Sequence, residues 1–245
     1  MNNQIIARCT VLILTGSALA GCATIGGGGS AETGMLSKTT TVEGAERTYM
    51  VYVPPSYDPA EQWPVVMFLH GAGERGDDGV DQSTVGIGPA IEANPERFPC
   101  IVIMPQCPKN IMWTDRYDEI NGALDATLAE YNIDRSRMYL TGLSMGGYGT
   151  FMYGADHVDR FAAMAPVCGG GRITDAAKLA AVPMWVFHGG ADPVVTPDKS
   201  RTMVEAIKAA GGDIQYTEYE GVGHNSWDNA YGDPELMSWM LSQTK

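Results

Sequence analysis

Met138-Tyr139-Leu140-Thr141-Gly142-Leu143-Ser144-Met145-Gly146-Gly147-Tyr148-Gly149-Thr150 is the stretch from which the rest of the chain is read. It begins with an apolar run, Met138 to Leu140, suited to a buried strand. Ser144 then stands between Gly142 and Gly146, and Tyr148 to Ala155 has the composition of a helix. Strand, tight turn and helix form the context in which Gly-x-Ser-x-Gly carries chemistry. A serine raised on a sharp turn needs a strained backbone, and neighbours bearing a Cβ would collide with the flanking strand and helix. The turn also aims free N–H groups and the positive end of the helix at any oxyanion formed beside the serine. An ordinary glycine-rich turn with an N-cap serine would look the same, so the reading depends on partners elsewhere in the chain.

A serine hydroxyl is a poor nucleophile until a base takes its proton, and histidine suits the task near neutrality. Of four histidines, His224 lies in the glycine-rich segment Glu220-Gly-Val-Gly-His-Asn-Ser-Trp-Asp and is the expected base. His70 opens the turn His-Gly-Ala-Gly, where its ring is expected to hold the loop. His157 follows the nucleophile helix in a polar, exposed segment. His188 ends a strand and is expected beneath the site. A base histidine needs an acceptor on its other nitrogen. Asp192, in Gly-Gly-Ala-Asp-Pro, is the candidate; Asp198 and Asp213 suit caps and turns, and Asp228 suits an anchor for the His224 loop. The developing oxyanion needs two preorganised donors. These are expected to be the backbone N–H groups of Met145 and of a residue in Gly71-Ala72-Gly73, with Ala72 the first choice. Trp113, Tyr148, Tyr231 and Trp227 stand beside these loops, and an aromatic wall would suit a flat acyl group or a sugar face; some of them are equally explained by core packing. Cys168 is a further candidate for the pocket lining.

In chain order, folded structure is expected from about Thr39. Strands are expected at Arg47 to Val53, Val65 to Leu69, Cys100 to Met104, Met138 to Leu140, Phe161 to Val167, Met184 to His188 and Ile214 to Glu220. Helices are expected at Gly88 to Asn94, Asp118 to Tyr131, Tyr148 to Ala155, Asp175 to Leu179, Lys199 to Ala210 and Pro234 to Leu241, with Gly221 to Trp227 a loop. Apolar strands alternating with amphipathic helices imply an α/β class: a mostly parallel central sheet covered by helices on both faces. Working residues in such folds gather beyond the carboxyl ends of the strands. The His70 turn, Ser144, Asp192 and His224 each follow a strand.

The chain has 245 residues, 44% hydrophobic and 18% charged, enough for one sizeable core. Its formal net charge of -13, without basic clusters, argues against nucleic acid and against docking on anionic lipid. Residues 1–22 read as an export signal: Arg8, then an apolar run from Cys9 to Ala20 too short for a comfortable membrane span. The ending Leu19-Ala20-Gly21-Cys22 resembles a bacterial lipobox, which implies lipidation of Cys22; cleavage after Ala20 or Ala23 is the alternative. Either way the chain is exported; in the lipobox reading the lipid anchor is its only membrane contact, and in the alternative it is secreted in soluble form. Residues 23–38, including Gly26 to Ser30, read as a flexible tether, and 39–245 as one catalytic domain. Cys100 and Cys107 flank one strand end, and whether they pair is a matter of geometry. No cysteine shows metal-ligand spacing.

Taken together, these pieces resemble the α/β-hydrolase superfamily, and more narrowly its feruloyl esterase, acetyl-xylan esterase and polyhydroxybutyrate depolymerase-like branch. The matching residues are His-Gly-Ala-Gly-Glu-Arg-Gly from His70, Pro105-Gln106-Cys107-Pro108 with Trp113, Gly-Leu-Ser-Met-Gly-Gly-Tyr-Gly from Gly142, Gly-Gly-Ala-Asp-Pro from Gly189 and Gly-His-Asn-Ser-Trp-Asp from Gly223. They span most of Tyr49 to Trp239, in the chain order Ser, Asp, His. The resemblance implies an α/β-hydrolase fold and a serine ester hydrolase working through an acyl-enzyme on feruloyl, acetyl or similar esters of carbohydrates. The alternatives are a small peptidase or amidase, resembling the catalytic module of prolyl-oligopeptidase-like enzymes, and a non-catalytic ligand-binding lipoprotein. No metal or organic cofactor is implied. The expected partner is a small ester or an ester-decorated polysaccharide fragment.

Overall fold

The computed structural model describes residues 31–245. The signal segment, Cys22 and the tether up to residue 30 lie outside the described residues. In chain order the strands are β1 (Gly34–Val42), β2 (Ala45–Val53), β3 (Trp63–Leu69), β4 (Ile101–Pro105), β5 (Ile133–Leu143), β6 (Ala163–Val167), β7 (Met184–Gly189) and β8 (Ile214–Tyr219). The α-helices are α1 (Ile87–Ala93), α2 (Asp118–Glu130), α3 (Met145–Asp156), α4 (Ala176–Leu179), α5 (Asp198–Ala209), α6 (Trp227–Gly232) and α7 (Pro234–Ser242). None of these helices is long and apolar enough to cross a membrane.

The apolar runs without alternation become the middle of the sheet. β4, β6 and β7 are buried at every residue, and β3 at all but Trp63. A strand covered on both faces has no polar side to show. The eight strands form one sheet in the order β1-β2-β4-β3-β5-β6-β7-β8. β3 runs parallel to β4 and β5, and β5 through β8 continue in parallel, while β1 and β2 are antiparallel at one edge. Successive residues serve opposite faces. Met67, Leu69 and Leu140 pack with Ile120, Phe151 and Met203 of α2, α3 and α5. Val66, Phe68 and Tyr139 pack with Ile91, Tyr231 and Met237 of α1, α6 and α7. Helices therefore cover both faces, as the alternation of elements predicts.

Three elements differ from the sequence expectation. β5, expected only over Met138 to Leu140, begins at Ile133, its polar first half, Asp134 to Arg137, lying partly exposed. The tether to residue 38 overlaps β1, which starts at Gly34 and pairs with β2 in continuous register from Gly34 against Val53 to Val42 against Ala45. An edge strand needs only a few inward apolar groups, here Leu36 and Val42, so its threonine-rich sequence carries little of the usual strand pattern. α6 starts at Trp227, the last residue of the segment read as loop, and runs through residues for which no element was expected. It is too short to show a helical period, and is held by the burial of Ala230 and Tyr231.

Candidate active site

Ser144 sits at φ 53°, in the left-handed region that non-glycine residues seldom adopt. It is held there from both sides. Its N–H donates to Val167 O at 3.0 Å, and its carbonyl accepts from Tyr148 N, the first full turn of α3, at 3.0 Å. The flanking glycines are dictated by close approach. A Cβ at Gly142 would lie 2.5 Å from Gly146 O, and one at Gly146 only 1.8 Å from Leu69 O. Met145 opens α3, so its N–H is one of the unpaired donors at the helix start.

The loops after β7 and β8 bring the other two residues to the serine. His224 Nε2 lies 2.9 Å from Ser144 Oγ, and His224 Nδ1 lies 2.7 Å from Asp192 Oδ2. Nδ1 donates to the carboxylate, which leaves Nε2 free to accept the serine proton. Asp192 is buried, while His224 keeps 20% of its side chain exposed. Burial alone would raise the Asp192 pKa. The bond from His224 and those from the N–H groups of Val194 and Val195, at 2.8 and 3.0 Å to Oδ1, outweigh it and hold the carboxyl below its usual range. His188 lies beneath, bonded to Val195 O and Ser200 Oγ and 3.3 Å from Asp192 Oδ2; burial lowers its pKa. His157 is half-buried against Tyr153 rather than exposed, its ring 4.2 Å from the tyrosine ring.

The remaining candidates divide by burial. Trp113 is 1% exposed and donates its indole N–H to His70 O at 2.9 Å, so it supports the turn after β3 from below instead of walling an opening. Tyr231 is likewise core, its hydroxyl 2.9 Å from Thr141 Oγ1. Tyr148 is half-buried, its ring against Gly170. Trp227 stands edge-on to His224 with ring centres 5.3 Å apart. Ala72 is exposed on the turn. Cys168 is wholly buried, at φ 40° at the end of β6, and burial pushes its thiol up to about 12. It offers one ligand atom within 4.8 Å of atoms of Asp192 and His224, but those two already share a proton. Cys100, Cys107 and Cys168 are all free thiols. Val194 and Val195, whose N–H groups hold Asp192, contribute to the site without having been singled out by sequence.

His70 is fully buried. Its Nε2 accepts from Cys107 N at 2.9 Å, which places the ring proton on Nδ1, donating to Gly71 O at 2.6 Å. Burial lowers its pKa to about 4. An unfolded histidine binds its proton near 6.5. As pH falls from 6.5 toward 4 the unfolded chain therefore gains a proton that the folded one refuses, and stability is lost across that window, by about 3 kcal/mol in all. Urea unfolding of wild type and His70→Asn at pH 7 and pH 4.5 tests this. The variant, though less stable at pH 7, is expected to lose less between the two pH values. Equal losses would remove the assignment. Asp192 does not interfere, since its depressed pKa acts only below the usual carboxylate value.

A serine, an imidazole and a buried carboxylate in line at the carboxyl edge of a mostly parallel sheet of this strand order define an α/β-hydrolase. The chain belongs to the dienelactone hydrolase family, whose model matches residues 93–232 and so takes in Ser144, Asp192 and His224. It is 31% identical over 159 residues to the bifunctional acetylxylan esterase/xylanase XynS20E of Neocallimastix patriciarum, covering 62% of this chain and 22% of that protein. It is 24% identical over 170 residues to probable feruloyl esterase C of Aspergillus terreus, covering 68% of this chain and 62% of that one. The chain thus spans less than two thirds of each of these relatives. Among solved structures, a thermostable esterase superposes with a TM-score of 0.77 at 38% identity, covering 86% of this chain and 63% of its own.

Proposed function

We propose that the protein is a serine carboxylic-ester hydrolase acting through an acyl-enzyme, with feruloyl or acetyl esters of carbohydrates as its substrate class. The observation that carries the reading is the unbroken line Ser144 Oγ, His224 Nε2, His224 Nδ1, Asp192 Oδ2 at 2.9 and 2.7 Å. Ser144 attacks the ester carbonyl as His224 Nε2 takes its proton. Asp192 steadies the imidazolium without itself becoming protonated. The N–H groups of Met145 and of the Gly71-Ala72-Gly73 turn receive the oxyanion. Collapse expels the alcohol with the proton from Nε2 and leaves an acyl group on Ser144 Oγ. Water, deprotonated by His224, then releases the acid and restores the hydroxyl. The names of the relatives, acetylxylan esterase and feruloyl esterase, support the substrate class, and Tyr148 and Trp227 supply half-buried aromatic surface for it.

The test is one panel run with purified protein: p-nitrophenyl acetate, methyl ferulate, acetylated xylan and peptide anilides, with fluorophosphonate labelling of Ser144 alongside. Labelling and ester turnover well above anilide turnover are expected. Absence of labelling would sink the serine reading, and faster anilide than ester turnover would make the protein an amidase.

A further inference from the structure

The turn after β3 carries an arrangement that the line of three catalytic groups does not require. The carbonyls of His70, Gly71, Ala72 and Glu74 each accept a hydrogen bond from a side chain. Trp113 Nε1 donates to His70 O at 2.9 Å, His70 Nδ1 to Gly71 O at 2.6 Å, Arg75 Nε to Ala72 O at 3.0 Å and Gln106 Nε2 to Glu74 O at 3.1 Å. The donors are themselves tied down. Arg75 also reaches Ile111 O at 3.4 Å, the His70 ring is fixed by Cys107 N, and Gln106 accepts from Gly79 N at 2.8 Å. Arg75 takes part in none of the ion pairs among the described residues. In a chain of formal net charge -13, its guanidinium is committed to backbone carbonyls instead.

A trans peptide is planar, and its N–H points opposite its C=O. Every peptide bond described is trans. Fixing the carbonyl of one residue therefore fixes the N–H of the next. The bond to Gly71 O aims Ala72 N–H, and the bond to Ala72 O aims Gly73 N–H, each away from its clamping side chain. The turn lies against the nucleophile, since a Cβ on Gly71 would be 3.7 Å from Ser144 Cβ. A glycine-rich segment would otherwise sample many peptide orientations, and an oxyanion site is effective only when its donors are already in place.

We propose that Arg75 and Trp113 are positioning residues for the oxyanion site: Arg75 on Ala72 O and His70 on Gly71 O turn the N–H groups of Gly73 and Ala72 toward the carbonyl oxygen of the bound ester, while Trp113, holding His70 O, fixes the root of the turn from which those two peptides are aimed. This rests on the ester-hydrolase reading above. It also gives Arg75 and Trp113 work distinct from binding substrate.

The experiment compares wild type, Arg75→Met, Arg75→Lys and Trp113→Phe. Methionine keeps the aliphatic stem of arginine but has no donor, and phenylalanine keeps the packing on His70 without the indole N–H. For p-nitrophenyl acetate, kcat is expected to fall about 10- to 100-fold in Arg75→Met with KM within about twofold of wild type, because the clamp acts mainly on the transition state. Trp113→Phe should move the same way and Arg75→Lys should recover part of the loss. The diagnostic readout is the rate ratio of an oxygen ester to its thionoester. Sulfur accepts hydrogen bonds poorly, so a disordered oxyanion site discriminates less and the ratio should drop in both donor-free variants. Unchanged kcat in both variants would overturn the proposal. So would a lower kcat with an unchanged ratio, which is what general loosening of the loop would give. Wild type and Ser144→Ala are run in parallel. An inactive wild type would count against the ester-hydrolase reading, whereas an active wild type with unaltered variants would count against the clamp alone.

Discussion

Ser144→Ala is expected to lower kcat for p-nitrophenyl acetate by about 10⁴- to 10⁶-fold, with KM little changed and the fold intact. The hydroxyl is half-exposed and bonded to His224 alone among side chains, so its loss leaves little packing undone. His224→Ala should cost a similar factor, and the double variant little more than either single one, because nucleophile and base act as one unit. Asp192→Asn is the most informative member. Val194 N and Val195 N both donate to Oδ1, so the amide oxygen must stay there and the amide NH₂ must face His224. Nδ1 then has to accept, the ring proton moves to Nε2, and the base can no longer take the serine proton. A loss of about 10⁴-fold follows from the wrong tautomer alone. Steady-state kinetics on these four variants decide the matter. Additive losses in the double variant, or an active Asp192→Asn, would break the proposed relay.

Those candidates stood out because each is punctuated by glycine just after a strand, although β8, Ile-Gln-Tyr-Thr-Glu-Tyr, is largely polar. Ser144 follows β5, Asp192 follows β7 and His224 follows β8, and the requirement for a close or strained backbone leaves glycines on both sides of the serine and ahead of the other two. β3, β4, β6 and β7 were equally plain, since burial on both faces leaves them almost wholly apolar; the first half of β5, Asp134 to Arg137, is polar and partly exposed and was not. β1 and α6 were not. One is an edge strand with two inward residues, the other a helix shorter than two turns, and neither needs the repeated pattern by which elements are recognised. Aromatic residues near the motifs misled for a related reason. Trp113 follows the Pro105-Gln106-Cys107-Pro108 motif whether it faces substrate or supports the turn from beneath, and only its indole bond to His70 O shows the second role. The carbonyl clamps were out of reach because backbone orientation leaves no mark on composition. The Arg in His-Gly-Ala-Gly-Glu-Arg-Gly was visible, but its acceptor was not.

Gly146→Ala is expected to be among the most destabilising conservative substitutions in the chain. Intrinsic helix propensity argues the other way, since alanine in place of glycine within a helix gains about 1 kcal/mol. Contact decides the sign. The added methyl would sit 1.8 Å from Leu69 O, 2.4 Å from Leu69 C and 2.8 Å from His70 O, all of them backbone atoms at the end of β3. No rotamer change relieves such a clash; α3 or the strand end must move. Overpacking of this kind costs about 3 kcal/mol or more, well above the propensity gain. Gly154→Ala is the control within the same helix. Its methyl would meet Met164 Sδ at 2.5 Å and Cε at 2.8 Å, the far end of a flexible side chain that can swing aside. Urea unfolding should therefore show a large loss for Gly146→Ala and a change of about 1 kcal/mol or less for Gly154→Ala. The two should also differ at the site. β3 ends where the His70 turn begins, so displacing Leu69 moves the turn relative to Ser144, and fluorophosphonate labelling should slow in Gly146→Ala but not in Gly154→Ala. If both substitutions were tolerated equally, the nucleophile turn would owe its glycines to something other than the approach of α3 to β3.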